Sequence, residues 1–201
     1  MKGILIGSLT LLLAGCAAPT NTACICDLAK LNNGWCSQCA LGYVAGVTIE
    51  SEMLFEALDA HGHDIDPGGV QCSSCRKAME TDGFCDRCQV GWVSRQAYFS
   101  TLTYRLAKGQ AKDVSKIRCP ICKVNADQPG WCASCGVGMV GNVAFPTKEG
   151  FEQASKPYRV FLAAVEVARN CEFCAGAMVF DGTCPVCKIS YLDGKGVPLV
   201  P

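Results

Sequence analysis

Cysteines dominate the chemistry this chain could do. The 201 residues contain seventeen, and sixteen of them form eight close pairs: Cys24/Cys26, Cys36/Cys39, Cys72/Cys75, Cys85/Cys88, Cys119/Cys122, Cys132/Cys135, Cys171/Cys174 and Cys184/Cys187. The pairs couple two by two, because nine residues separate the inner cysteines every time: DLAKLNNGW, RKAMETDGF, KVNADQPGW and AGAMVFDGT. Each gap closes on glycine plus one residue, preceded by Asn33, Asp82, Pro129 or Asp181. Such dipeptides predict a tight reversal that brings two pairs together. Four thiolates satisfy a tetrahedral zinc ion, and a two-residue gap lets one turn present both sulfurs of a pair to it. Sixteen cysteines then make four closed sites with none left over.

Other uses of paired cysteines stay open at this point. An even count in an oxidising compartment is normally a disulfide framework. Such frameworks rarely place every cysteine in adjacent pairs at one repeated gap, and a bridge within C-x-x-C tends to be reducible rather than structural. A thiol–disulfide exchange centre needs a cysteine of depressed pKa at a helix N-terminus. The CPIC and CPVC pairs starting at Cys119 and Cys184 have that form in isolation, but they are two of eight.

A catalytic zinc would keep an open position among histidine or carboxylate ligands. Four sulfur-saturated sites leave none, no C-x-x-C is followed by histidine, and no phosphate or dinucleotide loop is visible, so the chain reads as non-enzymatic. Both histidines lie in HGHDID, where His61, His63, Asp64 and Asp66 offer either an exchangeable zinc or copper site or a polar loop leading into Pro67-Gly68-Gly69. No spacing fixes a geometry there, which favours the loop.

The elements that must hold the pairs are short. After each second pair comes ALGYV, QVGWV, GVGMV or KISYL, whose alternating apolar residues predict a strand with one buried face. Three repeats then offer a helix. Thr48 is a cap for Ile49, Met53, Leu54, Ala57 and Leu58; Ser94 is one for Tyr98, Phe99, Leu102 and Leu106; Thr147 starts a third that Pro157 should interrupt, leaving YRVFLAAVEVAR. The fourth repeat ends without one. Expected boundaries are 24–71, 72–118, 119–170 and 171–201. The fold class is thus a small metal-stabilised α+β protein of four tandem β-hairpin modules with intervening helices, too small individually to fold without staples.

Eighteen basic and eighteen acidic residues cancel, so no basic footprint for nucleic acid exists. A four-thiolate zinc site carries about −2, so four loaded sites would leave the protein at about −8 and favour a basic partner surface.

Trp35-Cys36, Phe84-Cys85 and Trp131-Cys132, with the Cys-Pro knuckles at Cys119 and Cys184, resemble the zinc-ribbon family, which reads C-x-x-C, a short hairpin, an aromatic, then C-x-x-C. The resemblance implies four zinc ions; iron fits less well, since rubredoxin-like centres use longer gaps. Two departures are visible: Cys24/Cys26 is one residue short, and only Gly136 supplies the glycine that often follows the second knuckle.

The N-terminus carries a separate signal. Residues 1–15 have a basic start at Lys2 and an apolar run from Ile4 to Leu13, as secretory signals do. Leu13-Ala14-Gly15-Cys16 resembles the lipobox of bacterial lipoproteins. That resemblance implies cleavage before Cys16, acylation of its thiol, and a polar tether over 16–23. Ala17 in place of aspartate implies the outer membrane, facing the periplasm or the cell surface. The function expected is a zinc-binding envelope lipoprotein that acts as a structural or interaction scaffold for another envelope protein. Metal buffering, sensing or delivery is the alternative, with thiol redox chemistry the third.

Overall fold

The computed structural model describes residues 26–199. The expected signal peptide, Cys16, the tether and Cys24 lie outside the described residues. The chain is a small α+β fold in which a helix, a hairpin and usually a second helix recur four times.

In the first repeat α1 (Cys26–Leu31) leads to β1 (Trp35–Cys36), β2 (Leu41–Val44), β3 (Val47–Ile49) and α2 (Glu52–Leu58). The second runs β4 (His63–Asp64), α3 (Ser73–Glu80), β5 (Phe84–Cys85), β6 (Val90–Val93), β7 (Gln96–Tyr98) and α4 (Thr101–Ala107). The third runs β8 (Gln110–Ala111), α5 (Pro120–Asp127), β9 (Gly130–Cys132), β10 (Val137–Val140), β11 (Val143–Phe145) and α6 (Lys148–Ala168). The fourth holds α7 (Glu172–Val179), β12 (Ile189–Leu192) and β13 (Lys195–Pro198).

All strand pairs are antiparallel, in sheets ordered β1-β2-β3, β4-β7-β6-β5, β8-β11-β10-β9 and β12-β13. The short strands β4 and β8 follow the helix of one repeat yet pair with the hairpin of the next, His63 opposite Ala97 and Gln110 opposite Ala144. Successive repeats are therefore stitched by backbone hydrogen bonds.

The nine-residue gaps do reverse the chain, but not as hairpins. Each holds a short helix that ends in a turn: Asn33, Asp82 and Asp181 take φ of 50°, and the next glycine N–H returns to the carbonyl of Ala29, Ala78 or Ala177. This is how a helix stops on a left-handed residue. The same three side chains then accept from the backbone N–H of Ala45, Ser94 and Asp193 at 2.9, 2.7 and 2.6 Å, locking each gap to the tip of the hairpin that follows. Where the third repeat has Pro129, Asn142 at that tip donates instead to the Ala45 carbonyl of the first, at 3.0 Å.

The later helices start after the expected caps. Thr48 and Ile49 belong to β3, and Ser51 caps α2 by accepting from Leu54 N–H; β7 occupies the stretch after Ser94, and Ser100 caps α4. In both cases the hairpin claims the residues first, because its ladder hydrogen bonds are already closed by the turn before them. Thr147 does cap α6, but Pro157 does not break it: the helix runs for 21 residues. Ala154, Tyr158, Phe161 and Ala164, none more than 1% exposed, bury one face of it on both sides of the proline, which offsets the lost hydrogen bond.

That buried face belongs to a core shared by every repeat. Val44, Ile49, Leu54 and Leu58 of the first meet Leu102 and Leu106 of the second, Val140, Tyr158 and Phe161 of the third and Ala175 of the fourth. Three smaller clusters of buried residues sit around the first three cysteine groups.

One packing device repeats three times. The aromatic before the second pair faces a glycine across the ladder, Trp35 to Gly42, Phe84 to Gly91 and Trp131 to Gly138. Over that glycine lies an aromatic of the following helix: Phe55, Tyr104 or Phe151, with ring centroids 5.4, 5.4 and 6.0 Å from the first aromatic. A methyl group on any of the three glycines would overlap the helix aromatic. Among the described residues no helix follows the hairpin of the fourth repeat, and Ser190 stands at the matching position opposite Thr183. Gly91→Ala should cost about 1–3 kcal/mol through overpacking, read as a lowered midpoint in thermal unfolding. Ser190→Ala, which removes only the exposed hydroxyl that accepts from Thr183 Oγ1 at 3.2 Å, should cost less than about 1 kcal/mol.

Candidate metal centres

The hairpins and helices bring the expected cysteines together. Cys72, Cys75, Cys85 and Cys88 form one group, Cys119, Cys122, Cys132 and Cys135 a second, and Cys171, Cys174, Cys184 and Cys187 a third, with all sulfurs of a group within 4.8 Å of one another. Cys26, Cys36 and Cys39 converge in the same way in the first repeat. Cys24, the partner expected for Cys26, is outside the described residues. The HGHDID residues do not converge: His63 Nε2 meets Asp59 at 2.8 Å, His61 Nε2 meets the Asn32 carbonyl at 3.1 Å, and Asp66 accepts from Gly68 N–H at 3.1 Å. Asp64 faces Gln96 at 3.5 Å, so the stretch is structural.

Each full group is assembled in one way. The first pair sits at a helix start: Cys72, Cys119 and Cys171 are the N-caps of α3, α5 and α7, and Cys75, Cys122 and Cys174 lie one turn in. The second pair brackets the turn between two strands. Its first member ends a strand in the first three repeats, and its last is exposed. A helix N-terminus offers unpaired N–H groups and partial positive charge, which stabilise a thiolate. Cys174 N–H donates to Cys171 Sγ at 3.4 Å, and Cys187 N–H donates to Cys184 Sγ at 3.2 Å.

The residue after the last cysteine is left-handed in all four repeats, at φ of 50° for Ala40, 55° for Gln89, 63° for Gly136 and 56° for Lys188. The turn therefore has the form that glycine usually supplies, although three side chains pay about 1–2 kcal/mol each for it.

Charge is unevenly held within each group. The Cys75 N–H, and then the Cys88 thiol, hold Cys72 down to about 6; the Cys122 N–H, and then Cys135, hold Cys119 down to about 7. Burial pushes Cys75 up to about 12 and raises Cys122 as well. Four neighbouring sulfurs cannot all ionise unless a cation offsets their repulsion. Tyrosine hydroxyls add to this shell: a hydrogen bond to Cys26 raises Tyr43 to about 12, and one to Cys174 raises Tyr191 to about 12.

Distances decide what the groups suit. The Sγ–Sγ separation is 3.9 Å for Cys72–Cys85, 3.8 Å for Cys119–Cys132 and 3.8 Å for both Cys171–Cys184 and Cys171–Cys187. A disulfide needs about 2.05 Å, and the twelve cysteines of these groups are unbridged thiols. A tetrahedron with metal–sulfur bonds of about 2.3 Å has an edge of about 3.8 Å. The donor set and its spacing fit a four-coordinate, thiophilic metal ion.

The signal that sequence reasoning missed was the helix under each first pair. Arg76 to Met79 and Lys123 to Ala126 each hold only two apolar residues, Ala78 with Met79 and Val124 with Ala126, too few for periodicity to register.

No helix among the described residues is long and apolar enough to cross a membrane. No family model, no curated protein and no solved structure matches the chain, so the role of these centres rests on their own geometry.

Proposed function

We propose that the chain is a non-enzymatic, zinc-binding envelope lipoprotein, whose zinc-ribbon-like repeats hold four structural zinc ions and form one rigid scaffold for another envelope protein. The observation that carries this reading is the tetrahedral-edge spacing of the sulfurs, repeated in three complete groups. Cys72, Cys75, Cys85 and Cys88 would hold one ion, Cys119, Cys122, Cys132 and Cys135 another, and Cys171, Cys174, Cys184 and Cys187 a third. Cys26, Cys36 and Cys39 would hold the fourth, completed by Cys24. When bound, the ion supplies charge neutralisation and cross-linking. The chain's residues do the rest, helix starts facing the thiolates and apolar side chains excluding water.

Support for the envelope address comes from residues 1–16 alone: a short apolar signal followed by Leu-Ala-Gly-Cys, with Cys16 as the acylated residue. The loaded sites would make the surface acidic, which suits a basic partner.

One observation favours a redox role: Cys72 and Cys119 are helix N-caps with lowered thiol pKa, as reactive cysteines are. The same placement is what a metal thiolate needs, and convergence of all four sulfurs favours ligation. Native mass spectrometry of the mature protein separates the two. Four added zinc ions, sixteen unoxidised cysteines and an acylated Cys16 are expected; a metal-free protein lighter by sixteen hydrogens would overturn the zinc assignment.

A further inference from the structure

The helix under the first cysteine pair does not meet solvent in the same way in every repeat. Beyond its second cysteine, α3 carries Arg76, Lys77 and Glu80, and α5 carries Lys123 and Asp127, all exposed. In α7, EFCAGAMV, the one charged residue is Glu172 at its first position. A helix that is apolar all round is normally buried, yet α7 buries only Cys174 and Ala175. Phe173 and Phe180 are 47% and 42% exposed, and a Cβ added at Gly176 would meet no atom within 4 Å. Residues 173, 176, 177 and 180 follow the i, i+3, i+4, i+7 spacing of a single helix face.

The other wall comes from α2, which packs beside α7. Met53, 39% exposed, and Ala57 line a groove of about 260 Å³ together with Phe173, Gly176, Phe180 and Pro185. Its walls are fixed before anything binds. Leu54, Leu58 and Ala175 lie in the shared core, and Ser51, the cap of α2, donates to Glu172 Oε1 at 2.5 Å. A preformed apolar groove between two helices suits the apolar face of a third.

Charge names the occupant. The stretch Glu52–Leu58 and residues 172–185 hold Glu52, Glu56, Glu172 and Asp181 and no Lys, Arg or His, in a chain whose acids and bases balance at eighteen each. Among the described residues none of these four carboxylates is in an ion pair. Two rival occupants are disfavoured by like charge. A second copy in a two-fold dimer would set these carboxylates against themselves, and an anionic bilayer surface would repel them. Residues 16–23, CAAPTNTA, offer neither a basic nor a large apolar side chain.

We propose that the groove between α2 and α7 is a docking site for a basic amphipathic helix of the envelope partner, whose apolar face lies over Met53 and Gly176 while its Lys or Arg side chains meet Glu52, Glu56 and Asp181. The proposal rests on the reading of the chain as a scaffold and names the face it presents; it does not draw on the identity of the metal.

A fluorescein-labelled helical peptide of leucine and lysine, with leucines at i, i+3, i+4 and i+7, is the probe, and the same peptide with glutamate for lysine is its control. The protein is the zinc-loaded chain from residue 16 with Cys16→Ser, so that no acyl chain brings micelles into the anisotropy titration. The lysine peptide should bind with Kd of about 1–100 μM, and the glutamate peptide at least about tenfold more weakly. Gly176→Leu fills the groove and should weaken the lysine peptide at least about tenfold. Its circular dichroism and zinc count should match the parent's, because leucine is a better helix former than glycine. Should that variant not fold, Glu52→Lys/Glu56→Lys, at two exposed positions, serves, and it should reduce or invert the preference between the two peptides. Equal affinity of the parent for both peptides, unchanged binding in folded Gly176→Leu, or charge reversal without effect would overturn the proposal and leave a scaffold that presents another face. Self-association of the protein alone, or binding to phosphatidylglycerol vesicles, that Gly176→Leu abolishes would overturn it in favour of a second copy or a lipid surface. Stepwise loss of metal to graded chelators with the fold retained would overturn the scaffold reading itself, a result separable from the peptide titration.

Discussion

Stripping metal from the protein with a strong chelator under reducing conditions should abolish its cooperative thermal transition. The buried cluster around the second group consists of Cys75, Ala78, Met79, Cys85, Val90, Trp92 and Ala97, and two of those seven side chains are cysteines of the group itself. The cluster around the third is Cys122, Ala126, Cys132, Met139 and Ala144. Clusters this small cannot offset the entropy of ordering two strands and a helix. Structural zinc in small modules supplies about 10–16 kcal/mol of apparent free energy per site at neutral pH, comparable to the whole stability of an ordinary domain. Circular dichroism should report loss of α3, α5 and α7 on chelation and recovery when zinc is returned. Acid should act in the same direction, because protonated thiols do not ligate. If the signal and the transition midpoint were unchanged after chelation, the fold would be held by something other than metal.

Much of the site was legible because metal ligation imposes local spacing. A pair two residues apart, repeated across a constant nine-residue gap, can be read with no knowledge of what lies between. The groupings of the cysteines therefore emerged intact from 72 to 187, and so did the strand after each second pair. Less visible were features that depend on distant parts of the chain.

Thr48 and Ser94 are good cap residues followed by a helical pattern, yet each lies in or just before a strand, because pairing with the preceding strand of the hairpin overrides local propensity. Pro157 is a breaker in isolation and a tolerated residue when Tyr158 and Phe161 bury the helix around it. The glycines at 42, 91 and 138 have no local reason at all. They exist because an aromatic from a helix ten or more residues later lies over them. Short strands at 63–64 and 110–111 were equally hidden, since two polar or small residues acquire a strand's geometry only from the edge they join.

The same long-range packing makes the repeats interdependent, and Phe161→Ala should expose this. Phe161 is 0% exposed, on the helix that touches all four repeats, and its ring lies 5.8 Å from that of Tyr158. Deleting a buried phenyl typically costs about 3–5 kcal/mol. Were the repeats independent beads, as quasi-one-dimensional arrays approximate, the loss would be confined to the third repeat. Here Ile49, Leu54 and Leu58 from the first, Leu102 and Leu106 from the second and Ala175 from the fourth belong to the same buried cluster as Phe161. Calorimetry should therefore show one transition moved down as a whole, with the four metals released together near the new midpoint. Val186→Ala, at a 64% exposed position beside Cys187, should move it little. A split transition in which only one metal leaves early would mean that the central helix packs against its neighbours without coupling them, and the scaffold would then be a string of separately stable modules.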